Sequence, residues 1–176
     1  MIAFQAHKAL VLALYEDLEK CDETTVEKVL NRYVSEEYQW CGMFPFNERQ
    51  GAAAVAQSFW QPLLHSWSFL QRRQDVFMAG LNHLGAEPWV VSMGHFMGLR
   101  DADWLGIPAT RKMAFLRYAE FNCIENNCIT KSALFFDIIS VMNQAGIHPL
   151  PPQTGASFIH PGPRTHDGLL YEPQDA

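Results

Sequence analysis

The feature that most constrains this chain is a long hairpin. Two β-rich runs, Arg111 to Ile124 and Cys128 to Phe136, meet over Glu125-Asn126-Asn127. Asparagine tolerates the left-handed backbone that such a turn needs. A third β-rich run, Trp89 to Leu99, precedes them and carries Gly94 and Gly98, and strand glycines signal a bulge, strong curvature or a close approach. The strand pattern begins near Phe69 and includes a short run, Asp75 to Leu81, ending in the turn signal Asn82-His-Leu-Gly85.

Upstream the period changes. Phe4, Leu10, Val11, Leu14 and Leu18 recur at helical spacing and predict a helix over about residues 3–20. Thr24, with Glu27 as capping-box partner, opens a second helix that buries Val26, Val29, Leu30 and Tyr33. The stretch Tyr38 to Asn47 reads as an aromatic loop punctuated by Gly42 and Pro45. A third helix follows Gly51 through Ala52, Val55, Phe59 and Trp60, with a kink or an end expected near Pro62. A last helix, Ile138 to Ala145, runs between Asp137 as N-cap and Gly146. Three helices, then mainly antiparallel strands, then a short helix make an α+β order. One domain is expected over 1–147, followed by an extended arm over 148–176 that holds most of the ten prolines.

Composition narrows the function. Of 176 residues, 48% are hydrophobic, 18% charged and 12% aromatic, which suits a large core or an apolar ligand cavity. The net charge is −6 and no Lys/Arg stripe stands out, so nucleic acid is not expected as a partner. His7, Lys8, Glu16 and Asp17 interrupt the N-terminal apolar residues, so neither a signal peptide nor a membrane span is expected. Cys21, Cys41, Cys123 and Cys128 match no zinc spacing and read as free thiols of a reducing compartment, which makes the cytoplasm the expected location. There is no His/carboxylate cluster, Gly-rich phosphate loop or Gly-x-Ser-x-Gly elbow, so neither a metal nor a cofactor is expected.

The hairpin carries the candidate chemistry. A three-residue loop would pair Ile124 with Cys128, set Glu120 opposite Ser132 and set Tyr118 opposite Leu134. Strand alternation then places Tyr118, Glu120, Asn122, Ser132, Leu134 and Phe136 on one face. A carboxyl group walled off from water on such a face suits proton transfer. His95, between Met93 and Met97, is a second candidate acid or base, or a hydrogen-bonded histidine at a sheet surface. Asp137 is a third candidate, or a helix cap.

In four segments the chain resembles the SnoaL-like polyketide cyclases and ester cyclases of the NTF2-like superfamily. They are Asp103-Trp-Leu-Gly-Ile-Pro-Ala-Thr110, Glu120 to Ile129, Phe136-Asp137 with Gln144 and Gly146, and Pro45-Phe-Asn-Glu with Gly51 and Ala54. The resemblance spans roughly 5–147. It implies a cone of three N-terminal helices packed on a curved sheet around a pocket, often dimeric, with Trp40, Phe46 and Trp60 at the pocket mouth. It also aligns Glu120 with the cyclase histidine, where related isomerases and hydrolases hold an acid. The chain departs from the family with Asn126-Asn127-Cys128 in the turn, Cys123 at a usual arginine, and Leu134 where the cyclases hold their acidic base.

Two readings follow. One is a cofactor-independent acid/base enzyme on an apolar small molecule (a cyclase, isomerase or hydrolase), with Glu120 as acid/base and Tyr118, Asn122 or His95 polarising a carbonyl. The other is a binding protein with the same pocket and no chemistry. A module that only dimerises is a third possibility, distinguished by a filled interior and an exposed apolar face.

Overall fold

The computed structural model describes residues 4–152 and Gly155. The greater part of the arm expected over 148–176 lies outside them. Helix α1, Phe4–Lys20, buries Lys8, Val11, Leu14, Tyr15 and Leu18, a stripe at helical spacing. The chain then turns on Asp22, whose Oδ1 accepts from the backbone N–H groups of Thr24 and Thr25, both at 2.9 Å. Asp22, not Thr24, is therefore the side chain that satisfies the opening of α2, Val26–Leu30.

Only two helices precede the sheet, not three. The aromatic stretch read as a loop begins inside a strand, β1, Val34–Gly42. Tyr38 and Trp40 alternate with exposed Gln39 and Cys41, so β1 has the period of two. Its pairing is long-range. It runs parallel to β6, Cys128–Phe136, with Trp40 beside Ser132, and antiparallel to the short β2, Glu48–Gln50. The next helical run does not stop at Pro62. It passes from α3, Gly51–Val55, through a widened π turn, Ala56–Trp60, into α4, Gln61–Ser66. The π turn lies just before Pro62, which sits in the first turn of α4, where a missing N–H costs least.

Strands β3, Trp67–Leu81, β4, Pro88–Arg100, and β5, Met113–Glu125, complete a six-stranded sheet in the order β2-β1-β6-β5-β4-β3. All its pairings but β1–β6 are antiparallel. The β5–β6 hairpin turns on two residues, Asn126 and Asn127, with φ of 50° and 60°. Glu125 pairs with Cys128, and a bulge beside Ile124 then adds one residue, so that Glu120 faces Leu134 and Tyr118 faces Phe136. This register differs by two from the one expected of a three-residue loop. Because the shift is even, the face assigned to each side chain is unchanged.

Two local devices finish the frame. In the loop after β4, fully buried Arg100 donates from Nη2 to the carbonyls of Ile107 and Pro108, at 2.8 and 3.3 Å. Asp103 accepts from the Ala109 N–H at 2.8 Å. Helix α5, Ile138–Gln144, begins on Asp137, whose carboxylate accepts from Ser140 N at 2.8 Å. β6 ends opposite Tyr118, which leaves the start of β5 paired with β4 on one side and without a strand on the other. There the Gln144 amide accepts from Phe115 N at 2.8 Å and donates to Phe115 O at 2.7 Å, taking the place of a strand residue. Gln144→Leu removes both partners of the Phe115 peptide. It is expected to lower stability by about 1–3 kcal/mol in urea denaturation, and a loss under ~0.3 kcal/mol would show that water replaces the amide freely.

Candidate functional site

The site starts from two glycines. β3 bulges between Ser68 and Gln71 and again between Gln74 and Val76, opposite Gly98 and Gly94 of β4. A Cβ at Gly94 would overlap the carbonyl oxygen of Arg73, and one at Gly98 would stand 2.9 Å from that of Ser68. The bare glycines let β3 press against β4 and bend, and Arg72 lies between the two bulges with its side chain directed inward.

On the inner face Arg72 meets Glu120. Nη1 donates to Glu120 Oε2 at 2.6 Å, and the two side chains are only 4% and 6% exposed. Aromatic rings surround the guanidinium, with the centroids of Tyr15, Phe96 and Tyr118 at 3.7, 4.5 and 4.6 Å from Cζ. Burial works against the Arg72 charge, but Glu120, aided by Tyr118 and Tyr15, outweighs it and holds the arginine above its ordinary pKa. Arg72 Nη2 is buried and has no hydrogen-bond partner.

A polar network spreads from this pair. The hydroxyls of Tyr118 and Ser92 lie 2.8 Å apart, and Gln74 Nε2 donates to Ser92 at 3.0 Å. Asn122 donates to the Tyr15 hydroxyl at 3.2 Å and accepts from Ser132 at 2.6 Å. Burial raises the Tyr15 phenol well above its usual range, and the negative charge of Glu120 adds to the effect. Tyr118 is raised as well, by burial, against the pull of Arg72. Both phenols therefore stay protonated and serve as neutral hydrogen-bonding groups at ordinary pH.

Around the network stands an aromatic wall. Phe59 from the π turn lies 5.3–5.4 Å, ring to ring, from Phe46, Trp40 and Phe136. Trp60 lies 6.0 Å from Phe96, which stacks at 4.7 Å on Tyr118. Leu134, fully buried, is the cross-strand neighbour of Glu120.

Tyr118, Glu120, Asn122, Ser132, Leu134 and Phe136 are thus all buried on the inner face of the hairpin, with Trp40, Phe46 and Trp60 in the same interior. Two candidates are not there. In β4 the buried positions are Ser92, Gly94 and Phe96, so His95 projects from the opposite face. Its Nδ1 lies 3.3 Å from Asp75 Oδ2, and it can polarise nothing held by Glu120. Asp137 caps α5. The ion-pair partner of Glu120 is Arg72, which lies on a different strand from the hairpin. Arg72 and Tyr15 were missed because Gly94 and Gly98 signal a bulge without saying which residue of the neighbouring strand it turns inward, and the crossing of α1 over β3 and β4 has no local signal. Beyond those glycines the hints were an arginine inside a β run and a tyrosine on the apolar stripe of α1.

The outer face of the sheet is apolar too. Met78, Trp89, Val91, Phe121 and Phe135 line an open groove of about 520 Å³. Among the described residues, no group of three or more His, Cys, Asp or Glu is placed to hold a metal, and no helix is long and apolar enough to cross a membrane.

The fold, helices packed on a six-stranded sheet, is shared with solved structures of SnoaL-like and NTF2-like proteins. A SnoaL-like polyketide cyclase candidate from Jannaschia sp. CCS1 superposes with a TM-score of 0.61 at 17% identity, over 84% of this chain and 94% of that one. AclR, a hydroxylase candidate from Streptomyces galilaeus, gives 0.66 at 15% identity over 87% of each chain. An NTF2-like protein from Burkholderia thailandensis gives 0.54 at 18% identity, over 79% and 95%. At these identities the likeness is one of fold. No protein-family model matches the chain, and no curated protein matches it.

Removing one member of the buried pair strands the other. Arg72→Met is expected to cost about 3–5 kcal/mol, and Arg72→Met with Glu120→Leu to recover most of that loss. Urea denaturation of the two variants decides it, and equal losses would show that the charges are not coupled.

Proposed function

We propose that this chain is a pocket protein that performs cofactor-independent acid/base chemistry on an apolar small molecule, with Glu120 as the proton-transferring group. The observation that carries the reading is the placement of one carboxylate, held by Arg72, inside an aromatic-rich interior beside a small hydrogen-bonded network. A proton taken from carbon next to a carbonyl is the step that aldol-type cyclisation and double-bond isomerisation share. A hydrolase would use the same carboxylate to activate water. SnoaL-like and polyketide cyclase names among proteins of this fold support a polyketide-like or lactone-like carbonyl substrate.

The simplest assay asks for that shared step. In D2O the protein should speed deuterium uptake at the methyl group of 2-acetylnaphthalene, followed by NMR. Glu120→Gln, which keeps the shape and one oxygen for Arg72, should lower the rate about 10²–10⁴-fold while leaving the affinity within a few-fold. An unchanged rate would remove Glu120 from the chemistry.

A binding protein without catalysis is the second reading, and Leu134 favours it. The position where the cyclases hold their acidic base is apolar here and stands directly across from Glu120. Tight binding of the ketone with no deuterium uptake would decide for it.

The homodimer implied by the resemblance belongs to the same proposal. The outer face leaves Met78 45% and Phe135 52% exposed beside the apolar groove, a surface that a second copy would cover. Sedimentation velocity should give a dimer that Phe135→Glu dissociates, and a monomer at ~100 μM would overturn it.

A further inference from the structure

We infer that Arg72 is a ligand-binding residue whose second amino group, Nη2, donates to an acceptor oxygen of the small molecule beside Glu120. The inference rests on the pocket reading above and narrows it to ligands that carry a carbonyl or an enolate oxygen.

Three observations lead there. Nη1 is committed to Glu120 at 2.6 Å, whereas Nη2 of the same guanidinium is buried with no acceptor among the described residues. A buried N–H left unpaired costs about 1–3 kcal/mol, so an arginine kept in this state points to an acceptor that arrives from outside the chain. Next, Arg72 meets its ring neighbours through their faces, and the Tyr118 hydroxyl, although it interacts with the guanidinium, does not reach hydrogen-bond geometry at Nη2. The rings of Tyr15, Phe96 and Tyr118 pack around its guanidinium, and the Tyr118 hydroxyl is engaged with Ser92. Last, one planar cation carries both the bond to the carboxylate and the unused donor. An oxygen bound at Nη2 would therefore lie beside the group that takes the proton from the neighbouring carbon. As that proton moves to Glu120, the carbonyl becomes an enolate, and the charge that develops on its oxygen faces a fixed cation. Tyr118 and Asn122, the donors expected from the sequence, are tied into the Ser92 and Tyr15–Ser132 bonds instead. Because both charged side chains are nearly sealed, a ligand that reaches them must displace a covering group. Tyr15 of α1, stacked on the guanidinium at 3.7 Å, is that cover.

A matched pair of probes isolates the oxygen: 2-acetylnaphthalene, and 2-isopropenylnaphthalene, in which CH2 replaces it. The wild-type protein should bind the ketone about 10–100-fold more tightly, the worth of a hydrogen bond to a charged donor. Arg72→Lys keeps the positive charge for Glu120 but loses the planar fork, and it should bring the ratio of dissociation constants close to one. Arg72→Met with Glu120→Leu, which removes both charges together, should do the same if the lysine variant does not fold. A ratio near one in the wild type, as a buried water on Nη2 would produce, overturns the inference and leaves the pocket standing. So does a ketone preference that survives both variants. Failure of both probes to bind the wild type overturns the pocket reading and this inference with it.

Discussion

An ion pair buried among aromatic rings sets the terms for the rest of this molecule. Two opposite charges removed from water are tolerated only if each meets the other at close range and their remaining polar groups are provided for. Here that demand reaches every layer. β3 must bend twice to bring Arg72 inward, β4 must give up two side chains to let it bend, and α1 must lay Tyr15 across the guanidinium. The hairpin must turn Glu120 to the same side. A chain seeking stability alone would more simply place leucines at both positions.

The inner face is divided accordingly. Toward β1 and the π turn, Trp40, Phe46, Phe59 and Phe136 pack ring against ring. Toward β3 and β4 lie the charges and their hydroxyl and amide neighbours. Leu134 stands at the border, an apolar residue directly across from the carboxylate of Glu120.

Much of this was legible in the sequence, for reasons that are local. The helix stripe of α1, the strand character of β4 to β6, the Asp137 cap and the shared face of Tyr118, Glu120 and Asn122 all follow from periodicity and turn residues. The face survived a wrong loop length because the two-residue turn is followed by a bulge, and the two deviations sum to an even shift. What was not legible depends on contacts far apart in the chain. β1 looked like a loop because its strand partner lies at the other end of the domain. His95 looked accessible to the interior because the parity of β4 is set by its neighbours and not by its own residues. The partner of Glu120 was hidden in the bends of β3.

The parallel pairing of β1 with β6 also orders events in time. On a ribosome β1 is made early, and the strand it needs is completed only when almost the whole sheet has been synthesised. Until then Trp40 has the short β2, Phe46 and the helices to lean on. The last β strand to emerge is thus the one that closes the sheet on both sides, and long-range closure of this kind is the slow step of folding. Truncations that stop short of residue 128 would leave β1 paired only with the short β2, its other edge open to association.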